Sequence, residues 1–153
     1  MGKGFVTKKS ALPTVDFTKD FKCFDSKVTN YLLKSKTKKI IQVIDFIFPL
    51  IKTNKNFYKI KDHINLSGCT PLNGANFVSL SNIYSSKNGI VVCGLKNGTR
   101  PSNKEKKILL KAGIHAYCYN LIETAIYAAS LSLKIKAFGI VHKWKHKIHL
   151  LRL

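Results

Sequence analysis

The side chains with chemistry to offer gather in three short loops and around one histidine. Gly94-Leu95-Lys96-Asn97-Gly98-Thr99-Arg100 brings together glycines, cations, an amide and a hydroxyl. Backbone amides of such a turn, with cations beside them, are able to hold a phosphate. The spacing does not match the G-x-x-x-x-G-K-[ST] cradle, and a solvated turn is the plainer reading. Tyr119-Asn120 sets a phenol and an amide directly before an apolar run. Asn120 is either a donor to an anion or the N-cap of a following helix. His63, between Asp62 and Asn65, is a candidate acid or base because histidine exchanges a proton near neutral pH; a structural hydrogen bond is the simpler role. The third loop, His142-Lys143-Trp144-Lys145, opens a basic-aromatic tail in which His142, His146 and His149 would share one helical face. That tail is a frayed basic end, a contact for a phosphate backbone, or a metal face with no carboxylate or cysteine to complete it.

Acids are scarce. The chain has seven: Asp16, Asp20, Asp25, Asp45, Asp62, Glu105 and Glu123. Both glutamates stand three residues after a capping residue, Ser102 or Asn120, and so serve helix starts. The second half is left without an evident carboxylate for acid-base work. Cys23, Cys69, Cys93 and Cys118 are far apart with no C-x-x-C pair, which gives no zinc spacing and points to a reducing compartment. Residues 1–10 are basic with no apolar stretch behind them, so a secretory signal is not expected. Residues 40–51 are the most apolar run, but Gln42, Asp45 and Pro49 interrupt it, and it is shorter than the ~20 residues of a membrane helix. The expectation is a cytoplasmic protein that does not enter membranes.

Charge is the other extreme. A formal net charge of +20 and a pI near 10.0 invite a polyanion such as RNA. All but two of the 27 basic residues are lysines, the exceptions being Arg100 and Arg152. Arginine is the usual residue for two-point contacts to bases and phosphates, so this balance also fits a plain compositional bias.

The elements that must position these residues are clearest in the second half. Residues 89–94 form a short apolar run between glycines, the pattern of a strand buried on both faces. Ser102 and Glu105 are the two ends of a capping box, and Gly113 stops a helix over residues 103–112. Residues 114–119 read as a strand, 121–131 as an alanine-rich helix and 133–141 as a third strand. This is a βαβαβ unit of an α/β fold, with right-handed crossovers and strands expected parallel, in a sheet that is parallel or mixed. Open sheets of this kind bind ligands outside the carboxyl ends of their strands, where the three loops lie.

The first half is less legible. Residues 54–61 read as a strand with Phe57 and Tyr58 at its centre, and a loop is expected from Asp62 onward. Residues 38–50 are a strand, or a helix ending before Pro49. Residues 28–33 are a short helix or strand. The length supports one domain over residues 1–153, with residues 1–56 poorly defined and 142–153 a basic tail.

Asp62-His63-Ile64-Asn65-Leu66-Ser67-Gly68, followed by Thr70-Pro71-Leu72-Asn73-Gly74-Ala75-Asn76, resembles the DHINL-x-G and NPL-x-G-x-N segment of the purine nucleoside phosphorylases. The order of strands, helices and small residues over 89–141 is similar to the C-terminal half of those enzymes, so the likeness covers residues 57–141. It implies a truncated phosphorylase-like fold and pentosyl transfer from a purine nucleoside to phosphate, with phosphate as co-substrate and no metal or organic cofactor. It places Gly98, Thr99, Tyr119 and Asn120 against the substrate, with His63 and Asn65 shaping the pocket and His63 in a structural part. It assigns no catalytic residue, because Thr99, Arg100 and Pro101 stand where the family carries a purine-binding glutamate. His142 and Lys143 likewise stand where it has an asparagine. Homo-oligomers are implied as well. The alternative from a different class is a non-catalytic basic protein that binds RNA or another polyanion.

Overall fold

Strand formation follows the β-branched runs, and the longest of them, Ile40-Ile41-Gln42-Val43-Ile44-Asp45-Phe46-Ile47-Phe48, becomes the longest strand. The structure, a computed structural model, describes residues 12–72 and 79–143. Its strands are β1 (Thr14–Asp16), β2 (Ile40–Pro49), β3 (Phe57–Asn65), β4 (Ile90–Gly94), β5 (Ala116–Cys118) and β6 (Lys134–Val141); its helices are α1 (Ser26–Ser35), α2 (Asn103–Lys111) and α3 (Leu121–Ser130). For β2 the choice between strand and helix falls to strand, since branched side chains lose rotamers in a helix and pack well on a pleated surface. At residues 28–33 the helix wins: the Asp25 carboxylate accepts from the backbone N–H groups of Lys27 and Val28, and Val28 and Leu32 are buried one turn apart.

The signature segment is a strand where a loop is expected. β3 runs through His63 to Asn65, and its register shifts between Ile60 and Asp62. A bulge of this kind puts an extra residue out of step, so the alternation readable from Tyr58 to Lys61 breaks where the strand continues.

α2 forms as its local signals dictate. The Ser102 hydroxyl accepts from Glu105 N at 3.1 Å, and Ser102 N donates to Glu105 Oε1 at 2.7 Å. These bonds favour the ionised carboxylate and hold the Glu105 pKa below its usual value. No α2 residue is fully buried, so the cap adds to what the half-buried Leu109 and Leu110 supply by packing. Ser102→Ala is expected to lower the free energy of urea unfolding by about 1 kcal/mol, and an unchanged midpoint would contradict that account.

The sheet is mixed. β3, β4 and β5 run parallel to one another, whereas β6 is antiparallel to β3 and parallel to β2. The expectation that all three strands of the βαβαβ unit are parallel therefore holds for β4-α2-β5 and fails for β6. The handedness rule governs a strand laid beside its predecessor, and β6 is not beside β5. It is drawn instead to β2, with which it pairs residue for residue from Ile40↔Lys134 to Ile47↔Val141. β5 has much less to offer, pairing with β2 only at Phe48↔Tyr117 and Pro49↔Ala116. The pairings return on themselves, β2 to β5, β4, β3, β6 and back to β2, with β1 added parallel to the start of β2.

The two sides of the sheet hold different cores. Ile41, Val43, Val92, Ala116, Cys118 and Ile135 pack on one side against Leu121, Ile122 and Ala125 of α3. On the other, Leu50, Cys93, Ile114 and Tyr117 pack with Leu109 and Leu110 of α2. Among the described residues no helix is long and apolar enough to cross a membrane.

Candidate functional site

The shortness of β5 makes the site. After Cys118 the chain leaves the sheet at once, so β5 pairs with β2 only at Phe48 and Pro49. A pocket of about 280 Å³ lies there. Asn97 reaches it from the first of the three loops, Tyr119 and Asn120 from the second, and His142 from the third. Asp45, Phe46 and Phe48 of β2 form its floor and side, and Phe17 and Lys22 complete the rim from the segment between β1 and α1.

The wall is aromatic. Phe48 meets Tyr119 edge-on, with centroids 5.4 Å apart, and lies 4.9 Å from the His142 ring; Phe46 meets His142 at 5.5 Å. Behind them Tyr117 stacks on Phe48 at 5.0 Å and 15°. Such contacts fix the rings against one another and leave the wall rigid. Burial, first of all, pushes the Tyr119 phenol above its usual pKa, so it stays a neutral donor. It donates to the Thr99 carbonyl at 2.6 Å and ties the first loop to the second.

Asp45 is the chemical centre of the floor. It is 1% exposed, in the middle of an apolar strand. Oδ1 accepts from Phe46 N at 2.9 Å and Asn120 Nδ2 at 3.3 Å; Oδ2 accepts from Asn120 N at 3.0 Å and Leu121 N at 2.9 Å. Burial raises its pKa from 3.8 to about 6, against the lowering effect of these bonds. The α3 N-terminus is therefore capped from β2. Asn120 stands at the N-cap position, as expected, but makes no side-chain cap bond, because its amide is turned to Asp45, which also accepts from Leu121 N. Burial and the Asp45 charge together hold the neighbouring Cys118 thiol well above its usual pKa.

The residues expected in the pocket are distributed as follows. Tyr119 and Asn120 line it. Thr99 stands behind Tyr119, and its hydroxyl closes the loop on Lys96 O at 2.6 Å, with Gly98 inside that turn. His63 and Asn65 do not line this pocket. His63 Nδ1 is 2.6 Å from the Tyr84 hydroxyl; burial lowers its pKa, with Asp62 opposing. Asn65 organises the turn after β3, donating to Cys69 O at 2.9 Å and accepting from Ser67 N and Oγ. Asn73 to Asn76 of the signature, and His146 and His149 of the tail, lie outside the described residues. Among the described residues no cluster of histidine, cysteine and carboxylate side chains is suited to a metal ion.

Asp45, Phe46, Phe48, Phe17 and Lys22 are pocket residues that the loop argument does not reach. One signal was present: a lone carboxylate in a strand of branched residues has to find buried donors or neutralise.

No family model matches the chain, and no curated protein matches it. Solved structures do. Isoform 2 of the Schistosoma mansoni purine nucleoside phosphorylase, in complex with cytosine and ribose-1-phosphate, aligns with a TM-score of 0.62 and 19% identity over 74% of this chain and 51% of that one. The Schistosoma enzyme in complex with guanosine aligns at 0.61 and 18%, over 81% and 63%. A third, the Schistosoma mansoni enzyme with a monocyclic inhibitor, aligns at 0.63 and 19%, over 81% and 60%. The chain spans between 51% and 63% of the length of these structures. At such identities the likeness is one of architecture: the chain has the mixed α/β fold of the purine nucleoside phosphorylases, over part of their length.

Proposed function

We propose that the pocket binds a purine nucleoside and that the chain acts as a phosphorylase-like pentosyltransferase, with phosphate as the second substrate. The observation that carries this reading is the meeting of Asn97, Tyr119, Asn120 and His142, from three separate loops, on one aromatic wall. Rings fixed as Phe48, Tyr119 and His142 are suit a flat base, and the amides of Asn97 and Asn120 suit its polar edge. Lys22 at the rim supplies a cation for phosphate. Asp45 is not the proton donor to a departing base, since both its oxygens are taken by N–H groups. Its part is to hold Asn120.

The test is turnover of inosine or guanosine by purified protein, followed as free base and ribose 1-phosphate with and without phosphate. Release that depends on phosphate is expected, and Asn120→Ala should lower kcat/KM by roughly tenfold or more, the worth of one or two hydrogen bonds. A folded sample that releases no base in any condition overturns the enzyme reading. Salt-dependent RNA binding through the exposed lysines of α2, Lys104, Lys107 and Lys111, then becomes the reading to test.

A further inference from the structure

Every hydrogen bond made to the Asp45 carboxylate comes from an N–H group: Phe46 N and Asn120 Nδ2 on Oδ1, Asn120 N and Leu121 N on Oδ2. An ionised carboxylate only accepts. The two ends of an asparagine amide are told apart by their hydrogen-bond network, and here the network has one solution. The NH2 of Asn120 faces Asp45, and the carbonyl oxygen is the other end of an amide whose residue lines the pocket.

We infer that Asp45 is a positioning residue that sets the hydrogen-bonding polarity of Asn120: ionised, it makes the pocket present an acceptor to a ligand N–H or O–H, and protonated, it reverses the amide so that the pocket presents a donor. The ligand half of this rests on the nucleoside reading above; the amide half does not. A proton taken from solvent onto Oδ1 becomes a hydroxyl that must donate. Phe46 N cannot receive it. Asn120 can, by turning its amide half a revolution, which breaks the Nδ2–H bond to Oδ1 and forms a bond from the new hydroxyl to the Asn120 carbonyl. The bond given up is the longest of the set, 3.3 Å, while the backbone bonds to Oδ2 at 2.9 and 3.0 Å keep α3 capped in both states.

Burial sets the titration of Asp45 at about 6, within reach of ordinary buffers. The other ionisable groups around it are Cys118 at the end of β5, Tyr119 after it, Glu123 in the first turn of α3, Lys22 on the rim and His142 after β6. Burial keeps the thiol and the phenol neutral across this range. Glu123 and His142 are separated from Asp45 by the variant Asp45→Asn, whose own NH2 would face Asn120 and hold the amide permanently reversed.

The experiment is an NMR titration of the Asn120 side-chain amide in the full-length protein between pH 7.5 and 5, alongside inosine and purine riboside binding. In the wild type the amide resonances are expected to move with a midpoint near 6, and in Asp45→Asn to sit at the low-pH position throughout. Inosine, with an N–H donor on its base, should bind better than purine riboside, which has none there, by roughly tenfold at pH 7.5. That preference should shrink at pH 5 and in Asp45→Asn. Amide resonances that do not move in the wild type overturn the switch, and this arm stands even if the variant fails to fold. A normal titration without nucleoside binding leaves the switch intact and overturns the nucleoside reading.

Discussion

Gly89→Ala is expected to destabilise the protein by about 3–5 kcal/mol, enough to leave much of it unfolded at 37 °C. Gly89 has φ +134, a backbone conformation closed to residues with a side chain, and an added Cβ would lie 2.3 Å from the carbonyl oxygen and 2.7 Å from the carbonyl carbon of Lys59. Both obstacles are backbone, so neither yields by a rotamer change. The place also matters, because Lys59 is in β3 and Gly89 directly precedes β4, so relief must come from parting two paired strands. Gly94→Ala is a useful contrast: there the nearest atoms belong to the Ile122 side chain at 3.0 Å, which can give way. Urea unfolding of both variants checks the argument. A Gly89→Ala midpoint equal to that of Gly94→Ala would show that the close approach to Lys59 is not a constraint.

Asp45→Ala is expected to cost about 3 kcal/mol at pH 7.5, since it removes the acceptor from buried N–H groups on β2 and at the start of α3. The effect is partly offset because the wild type carries a desolvated charge there. That offset has a definite pH dependence. The folded-state pKa of about 6 lies above the unfolded value near 3.8, so between these values the folded state binds the extra proton. Wild-type stability should therefore fall as pH rises from about 4 to about 6, by about 3 kcal/mol from this group, and be level above. Asp45→Ala lacks this slope, and its deficit relative to wild type should be larger at pH 4.5 than at pH 7.5. Equal deficits at the two values would mean that Asp45 titrates as an ordinary surface carboxylate.

What was legible in the sequence was what neighbouring residues decide among themselves. Ser102 and Glu105 announce α2 because they are three residues apart and bond to each other. The apolar run Ile90 to Cys93 announces a buried strand for a similar reason, and the loops after β4, after β5 and after β6 followed from those boundaries. What was not legible depends on partners far away in the chain. The carboxylate at the start of α3 comes from Asp45, separated from Leu121 by 76 residues, so Asn120 holds the N-cap position expected of it while its side chain is bound to a partner the local sequence does not show. The direction of β6 is set by its match to β2, about which the intervening helix says nothing. In β3 a single bulge was enough to make the strand from Asp62 to Asn65 read as a loop. His63 and Asn65 accordingly serve Tyr84 and the turn at Ser67, away from the aromatic wall that β2 contributes.

The circular order of pairing among β2, β5, β4, β3 and β6 leaves each of these strands with a neighbour on both sides. Among the described strands β1, three residues long, pairs with β2 alone, and β3 is paired on each side over only part of its length, with β6 at Phe57–Ile60 and with β4 from Ile60 to Asn65. Exposed edges are where β-proteins recruit one another into runaway ladders, and short or closed edges suppress that route. A chain this rich in branched residues is thus shielded, while folded, from strand addition over most of its sheet, and among the described strands Asp62–Asn65 of β3 keeps a strand partner on one side alone.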